Sequence, residues 1–386
     1  MKILAVGHEA SRTGAPILLA SLMRSFRDDH NDSVSILLGG GGPMVADYSA
    51  IGPTHTIDVQ RQGIFSKLKR ALKSESLDQA KRVRYWYHHN NEPELIYINT
   101  VAAAGAWEML QRNVPRSVPV VVHVHELQSI IDQYQSVFDL ESLLRRCNVV
   151  IAGAGCVKSL LVNELNISHQ KIHVVHDWLC RDIVSQDVSS QRQALRKTLG
   201  IDASAKICIS VGTLDWRKAP ETIPMIAGHV CKRNEAIHFL WLGGTNVDHA
   251  FDRLCIDAKK LGVAANVHFL SAVEDPTSYY LGADYFALPS REDAYPLVMV
   301  EAAAYGLPIV AFANSGGATE FIGDDRGMLV PYLDTIAMGE VILRWARDPS
   351  LALKHSNNAK RHAIDNHSRE GASGQIRKLI RGVTIR

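Results

Sequence analysis

The residues best equipped for chemistry lie between positions 289 and 320. Glu292 and Asp293 stand together in a polar stretch, and Glu301 follows Asp293 after seven intervening residues. Carboxylates aimed at one crevice suit a polyhydroxylated ligand, because each accepts hydrogen bonds from a vicinal diol. Further on, Gly316 and Gly317 precede a helical run that contains Glu320. Glycines there let backbone N–H groups approach an anion, and the helix start adds a positive end. Arg217 and Lys218 form a basic pair at another loop, suited to a leaving group that gathers negative charge. In the first half, an apolar run ends in His123-Val124-His125-Glu126, and Gly14 sits in a turn where the backbone can lie close to a ligand. The His-x-His pair is a metal-ligand type, but the sequence places no third ligand. His123, and the stretch from His173 through His176 to Asp177, read as structural.

These groups need elements to hold them. Residues 284–288 form a buried strand, followed by a polar loop and a short helix from about Pro296. Gly306 suits the helix exit, Pro308 stops it from continuing, and a second buried strand runs from 309 to 312. Glu292 and Asp293 therefore belong at the carboxyl end of a strand, where open α/β sheets bind ligands. Glu301, about one and a half turns into the helix, should face the same crevice. The basic pair follows a strand at 207–211, and the two glycines follow the strand at 309–312. Other strands are expected at 3–7, 33–38, 54–59, 95–99, 118–123, 149–152, 171–175, 238–242 and 267–270, with helices separating most of them. The fold class is α/β, as two doubly wound domains. The first spans 1–184 and the second 185–365, with the polar segment 185–193 as linker and a terminal helix in 366–386.

The stretch from Pro289 to Val310 resembles the donor-site signature of the family 4 retaining glycosyltransferases, also called glycosyl transferases group 1. That signature has an acidic residue, seven intervening residues and a Glu, then a small-residue helix and a Gly-x-Pro strand start. The first position is usually Glu, so either Asp293 or Glu292 takes it here. Gly316-Gly317-Ala318-Thr319-Glu320 matches the family's Gly-Gly-x-x-Glu motif, and Val211-Gly212 followed by Arg217-Lys218 is similar to its diphosphate-binding segment. Thr213 replaces the Arg that usually follows Val-Gly, which leaves the cationic role to Arg217 and Lys218.

The resemblance implies the GT-B fold, two Rossmann-like domains facing across a cleft, with the terminal helix packed back on the first. It implies a nucleotide diphosphate sugar as donor, and a glycan, lipid-linked molecule or other hydroxyl as acceptor. Glu301 would bind the ribose diol, Asp293 or Glu292 the sugar hydroxyls, and Arg217, Lys218, Gly316 and Gly317 the departing diphosphate. His125 would reach the donor sugar, with Gly14, Leu297, Val298 and Glu320 completing the donor site. No cofactor or metal is expected: no Asp-x-Asp occurs, so side-chain cations would stand in for Mg²⁺. A GT-B sugar-nucleotide epimerase and a non-catalytic nucleotide-sugar-binding subunit are the alternatives.

Composition narrows the reading further. A chain of 386 residues can build two cores, and a net charge of +2 gives no global case for nucleic acid. The first βα turn lacks Gly-x-Gly-x-x-Gly, and the glycines at 39–42 lack the Lys-Ser/Thr of a P-loop. The six cysteines include no Cys-x-x-Cys pair and read as reduced core thiols, which with a first strand starting at residue 3 suggests a cytoplasmic protein. No apolar run approaches the roughly 20 residues of a membrane span. Residues 61–84 carry eight basic groups against two acidic ones, with Tyr85-Trp86-Tyr87 beyond. Such a segment can lie on an anionic membrane face, or pack its apolar stripe on the sheet and solvate its charges.

Overall fold

A computed structural model describes residues 1–59, 72–89, 92–184, 186–245 and 249–384, without the side chains of 72–78. The chain divides into two compact units, Met1–Cys180 with Arg369–Arg386, and Arg181–Ser368. Each is a parallel sheet with helices between successive strands.

The first unit contains β1 (Lys2–Gly7), β2 (Ser33–Leu38), β3 (Thr54–Thr56), β4 (Leu95–Asn99), β5 (Val120–Val124), β6 (Val149–Ala152) and β7 (Ile172–Val174). Their order across the sheet is β3-β2-β1-β4-β5-β6-β7, with β1 paired in parallel to both β2 and β4. Every residue of β4 and β5 is buried. That is why both read as largely apolar runs, broken only by Asn99 and His123: a parallel sheet is covered on its two faces. The helices include α1 (Gly14–His30), α2 (Val45–Ser49), α3 (Leu72–His89), α4 (Ala104–Leu110), α5 (Gln128–Gln135), α6 (Leu140–Arg146) and α7 (Gly155–Asn163). Residues 61–71 of the basic segment lie outside the described residues.

The second unit contains β8 (Lys206–Val211), β9 (Ile237–Leu242), β10 (Val267–Leu270), β11 (Tyr285–Leu288), β12 (Ile309–Phe312) and β13 (Gly327–Val330), in the order β10-β9-β8-β11-β12-β13. Its helices are α8 (Val188–Leu199), α9 (Thr222–Val230), α10 (Ala250–Lys260), α11 (Thr277–Gly282), α12 (Leu297–Ala304), α13 (Ala318–Ile322), α14 (Thr335–Arg347) and α15 (Pro349–Asn366). The core beneath the sheet is aromatic, with Phe239, Trp241, Phe312 and Trp345 fully buried. Asp284, also buried, receives Arg196 at 2.6 Å, Lys206 at 3.2 Å and the Ile207 N–H at 3.0 Å, which ties β8 and β11 to α8. A buried carboxylate is tolerable only when charge and hydrogen bonds surround it in this way.

The structure corrects several expectations. Most of the segment read as a linker is helix: Asp187 accepts the Ser189 N–H and caps α8, which starts at Val188. Five polar residues in a row hid an exposed helix with only Leu195 and Arg196 buried. Strand β13 was not anticipated, because four residues opening on glycine carry too little pattern. The cysteines are unpaired, but they are not all core thiols: Cys147 and Cys208 are buried, whereas Cys255 is exposed on α10. At the C-terminus, α16 (Arg369–Thr384) belongs to the first unit and packs on α1. Ser373 and Ser25 hydroxyls meet at 2.9 Å, and Arg377 pairs with the buried Asp32. Among the described residues no helix is long and apolar enough to cross a membrane.

In both sheets the strand order reverses once, between β1 and β4 and between β8 and β11. Beyond the carboxyl ends of strands at such a switch point lies the crevice where doubly wound sheets hold ligands.

Candidate active site

In the second unit, the loops after β8 and β11 flank that switch point and carry most of the expected residues. Asp215 organises the first loop. Its Oδ1 accepts the backbone N–H of Arg217 at 2.9 Å and of Lys218 at 3.2 Å, while Oδ2 takes the Thr213 hydroxyl at 2.5 Å and Arg217 at 3.3 Å. An Asp that bonds the backbone two residues on fixes a turn, and here the turn aims the two cations. Lys218 Nζ reaches across to the second loop and pairs with Asp293 Oδ2, which also accepts the Ser290 hydroxyl at 3.3 Å. The two side chains keep 15% and 12% exposure, enough for a ligand to compete for either.

Asp293 is tied to the glycine motif through its backbone. Its N–H donates to Ser315 O at 2.8 Å, and Gly317 N–H donates to Asp293 O at 3.1 Å, a parallel bridge opposite Gly316. Gly316 has φ +129°, and a Cβ on Gly317 would fall 2.2 Å from Ala294 O. Both positions thus require glycine, one for conformation and one for close approach. Because the Gly317 N–H is engaged by Asp293, that amide is a structural link and not a free anion donor, contrary to the expectation from sequence. The Gly316 N–H takes no part in the bridge. Glu320 lies partly buried in α13, and Glu292 is partly buried beside Asp293 with its N–H 3.4 Å from Arg217 O.

Glu301 sits in α12, about one and a half turns from Pro296, with Leu297 and Val298 half-buried in the first turn. It bonds neither Lys218 nor Asp293; the Tyr280 hydroxyl donates to its Oε2 at 3.0 Å. Burial pushes the Glu301 carboxyl above its ordinary value, with Tyr280 and Arg181 opposing that rise. Burial and the facing carboxylate together push the Tyr280 phenol well above its ordinary value, so it stays a donor.

Sequence reasoning missed Arg291. Its backbone N–H bonds Arg217 O at 2.6 Å, its guanidinium reaches Trp216 O at 2.9 Å and Glu221 at 2.5 Å, and it lies 5.5 Å from the centroid of the exposed Trp216 ring. The two loops are thereby cross-linked by backbone and by side chain. Asp215, two residues before Arg217, had a readable turn signal; Ser290 and Tyr280 had none.

In the first unit the polar groups gather at the ends of β4, β5 and β7. His125 follows β5, with Nδ1 3.1 Å from Asp177 Oδ1 and Nε2 3.1 Å from Asn99 Oδ1. Asn99 Nδ2 donates to Ala15 O at 2.9 Å, next to Gly14 at the exposed start of α1. Asp177, read from sequence as structural, is thus a partner of the expected site histidine. Burial alone would lower the His125 imidazole, but the Asp177 and Glu126 carboxylates outweigh it and hold it above its ordinary value. His123 lies one ring away, 3.9 Å between centroids, with Tyr97 Oη 2.7 Å from its Nδ1. Burial, then the neighbouring imidazole, keeps it well below its ordinary value and neutral. Among the described residues, His123, His125 and Asp177 bring metal-ligating atom types within 4.8 Å of one another. Both nitrogens of His125 face oxygen acceptors within the unit.

Residues 191–362 match the model of the family described as glycosyl transferases group 1. The D-inositol 3-phosphate glycosyltransferase of Corynebacterium urealyticum is 30% identical over 195 residues, 49% of this chain and 46% of that protein. The chain spans about half the length of the curated relatives it matches. Among solved structures, Anabaena HepE in complex with UDP superposes with a TM-score of 0.77 at 19% identity, covering 99% of this chain and 100% of the other. Sucrose-phosphate synthase of Thermosynechococcus elongatus gives 0.76 at 20% identity, covering 99% of each. The fold is GT-B, two parallel-sheet Rossmann-like domains, and the stretch that matches the glycosyl transferases group 1 model, residues 191–362, contains the Lys218–Asp293 pair.

Proposed function

We propose that the chain is a retaining glycosyltransferase that moves a sugar from a nucleotide diphosphate sugar to a hydroxyl acceptor without a metal. The acceptor would be a glycan, a lipid-linked molecule or another hydroxyl compound, as in the synthesis of cell-surface polysaccharide or glycoconjugate at the cytoplasmic face of a membrane. The observation that carries this reading is the junction of Lys218, Asp293 and the Gly316 backbone at the switch point of the second sheet. A cation, a carboxylate and glycine backbone at one place fit a diphosphate bonded to a polyol. The resemblance to structures solved with UDP and with UDP-glucose supports the donor class.

In this reading Lys218 exchanges Asp293 for the donor diphosphate, aided by Arg217, and Asp293 turns to sugar hydroxyls. Glu301 accepts the ribose diol, while Leu297 and Val298 line the base end of the site. The bond from the anomeric carbon to the phosphate oxygen breaks as the acceptor oxygen bonds on the same face. The acceptor proton passes to a phosphate oxygen, and nucleoside diphosphate leaves. Preorganised cations stabilise the charge that builds on it.

The test is a panel of UDP-, GDP- and TDP-sugars screened by thermal shift, followed by turnover of the stabilising donor with and without acceptors. Release of nucleoside diphosphate that depends on an acceptor and survives EDTA is expected. Conversion of the sugar without an acceptor would make the chain an epimerase. Binding without either reaction would make it a carrier subunit.

A further inference from the structure

The chemistry of His125 is set by two residues distant in sequence. We propose that Asp177 and Asn99 are positioning residues that hold His125 as a doubly protonated imidazolium, a fixed positive charge at the carboxyl end of the first sheet. This rests on the proposed transferase reading for its purpose, but the state of the ring is a property of the free protein.

The network determines that state. Ala15 O can only accept, so the Asn99 amide facing it at 2.9 Å must present Nδ2 there. Its Oδ1 is then the atom 3.1 Å from His125 Nε2, an acceptor that needs a proton on that nitrogen. Asp177 Oδ1, 3.1 Å from Nδ1, needs a proton on the other. A neutral ring satisfies one of the two and turns a lone pair toward an oxygen at the other. The imidazolium satisfies both.

The remaining groups around the ring point the same way. Glu126 is fixed by the His125 N–H at 2.9 Å, the Val101 N–H at 3.3 Å and the Thr100 hydroxyl, which places a second carboxylate beside the cation. The His123 ring, tilted by 40° with its centroid 3.9 Å away, is hydrogen-bonded to Tyr97, while its Nε2 is buried without a partner. Two imidazoles this close do not both ionise, and the proton goes to the one facing carboxylates.

One consequence concerns the ligand. Both N–H groups of His125 are occupied within the unit, so in this state the ring acts through its charge and not through a donated hydrogen bond. A second concerns the turn at Gly14. Loss of the Nε2 proton removes the donor that holds Asn99 Oδ1, and the Asn99 link to Ala15 O at the start of α1 is held only while that amide keeps its orientation.

Protein carrying ¹³C,¹⁵N-histidine, titrated by NMR, tests the ring directly. In the wild type, both ring nitrogens of His125 should show imidazolium shifts at pH 6.5, while His123 shows a neutral ring. Asp177→Asn should move the His125 titration to lower pH, and Asp177→Glu should restore part of the shift. In turnover assays the alkaline limb of the kcat profile should move with it. A wild-type His125 with one bare nitrogen at pH 6.5 would overturn the proposal, as would an unmoved titration in Asp177→Asn. One-to-one loss of the imidazolium signals on adding Zn²⁺ would also overturn it, in favour of a metal site. The wild-type spectrum needs no variant to fold, and none of these spectra requires a donor. Failure of the transferase reading, seen as absence of nucleotide-sugar binding, is thus a separate result.

Discussion

The two sheets carry polar clusters at equivalent ends, yet the clusters are built differently. In the second unit Lys218, Asp293, Arg217 and Arg291 stand on loops, partly exposed, and the central contact is a single ion pair. In the first unit His125 and Asp177 each keep only 6% side-chain exposure, and every polar atom of the imidazole has an acceptor. A partly exposed pair can trade its partner for a ligand at less cost than a buried one, since solvent reaches both groups. A buried, saturated network cannot, because breaking one bond leaves a desolvated polar group. The same topology thus supplies an exchangeable charge in one unit and a fixed charge in the other.

That contrast is most easily broken at Lys218. Lys218→Ala should reduce kcat by about 10²–10³-fold, the range for removing one preorganised group that stabilises developing negative charge. Ground-state donor affinity should fall much less, because Asp293 already occupies the ammonium before binding. Steady-state kinetics beside calorimetric donor binding would separate the two. Equal losses in both would mean that Lys218 binds the donor uniformly, and that the pair is not exchanged on the way to the transition state.

The difference between the clusters also governs what was legible in the sequence. The second site was readable because Asp293, Glu301, Gly316 and Gly317 fall within 25 consecutive residues, each on a βα loop or helix whose boundaries were marked by Pro296, Gly306 and Pro308. Spacing could not show that Gly317 lends its N–H to Asp293, or that Glu301 turns to Tyr280. The first site joins positions 99, 125 and 177, which meet only because β4, β5 and β7 end on one side of the sheet. Asn99 ends an apolar run, which marks a strand end but not its partner, and Asp177 sits between His176 and Trp178 with no such mark. For the same reason alternation revealed twelve of the strands, while β13 stayed hidden.

Glu301 sharpens the comparison, since its carboxyl is raised by burial whereas Lys218, Asp293 and Arg217 beside the same switch point are partly exposed. Glu301→Gln keeps an oxygen for the Tyr280 hydroxyl but removes the charge. Charge-assisted hydrogen bonds are about twice as strong as neutral ones, so affinity for nucleoside diphosphate should drop roughly ten-fold. Stability should move in the opposite direction. Burial raises the Glu301 carboxyl, so its ionised form is disfavoured by folding. That cost sets in as pH rises from the ordinary carboxylate value through the raised one, and it is fully present at neutral pH. The variant should therefore melt at the same or a higher temperature than wild type at pH 7.5, with the advantage vanishing in acid. A lower melting temperature at pH 7.5 with unchanged affinity would make Glu301 a structural acid and remove it from the ribose site.

The smallest expected effect lies in the first unit and has the opposite sign. His125 is held above its ordinary value of 6.5 because Asp177 and Glu126 overcome the cost of burial. A group raised in the folded state binds its proton more tightly there than in the unfolded chain. The stability it contributes is complete below about 6.5 and is lost as pH rises through the folded-state value. His123 works against it: its imidazole is kept well below the ordinary value, so it costs stability as pH falls beneath 6.5. The two contributions occupy separate windows, which makes them distinguishable. Amide hydrogen exchange of β5 and β6, followed from pH 5 to pH 9 after correction for intrinsic rates, should show protection greatest near neutrality and declining on the alkaline side. Asp177→Asn should flatten the alkaline decline and leave the acid one in place. If both limbs flattened together, the two histidines would be titrating as one unit, and the fixed charge would belong to the pair of rings instead of His125 alone.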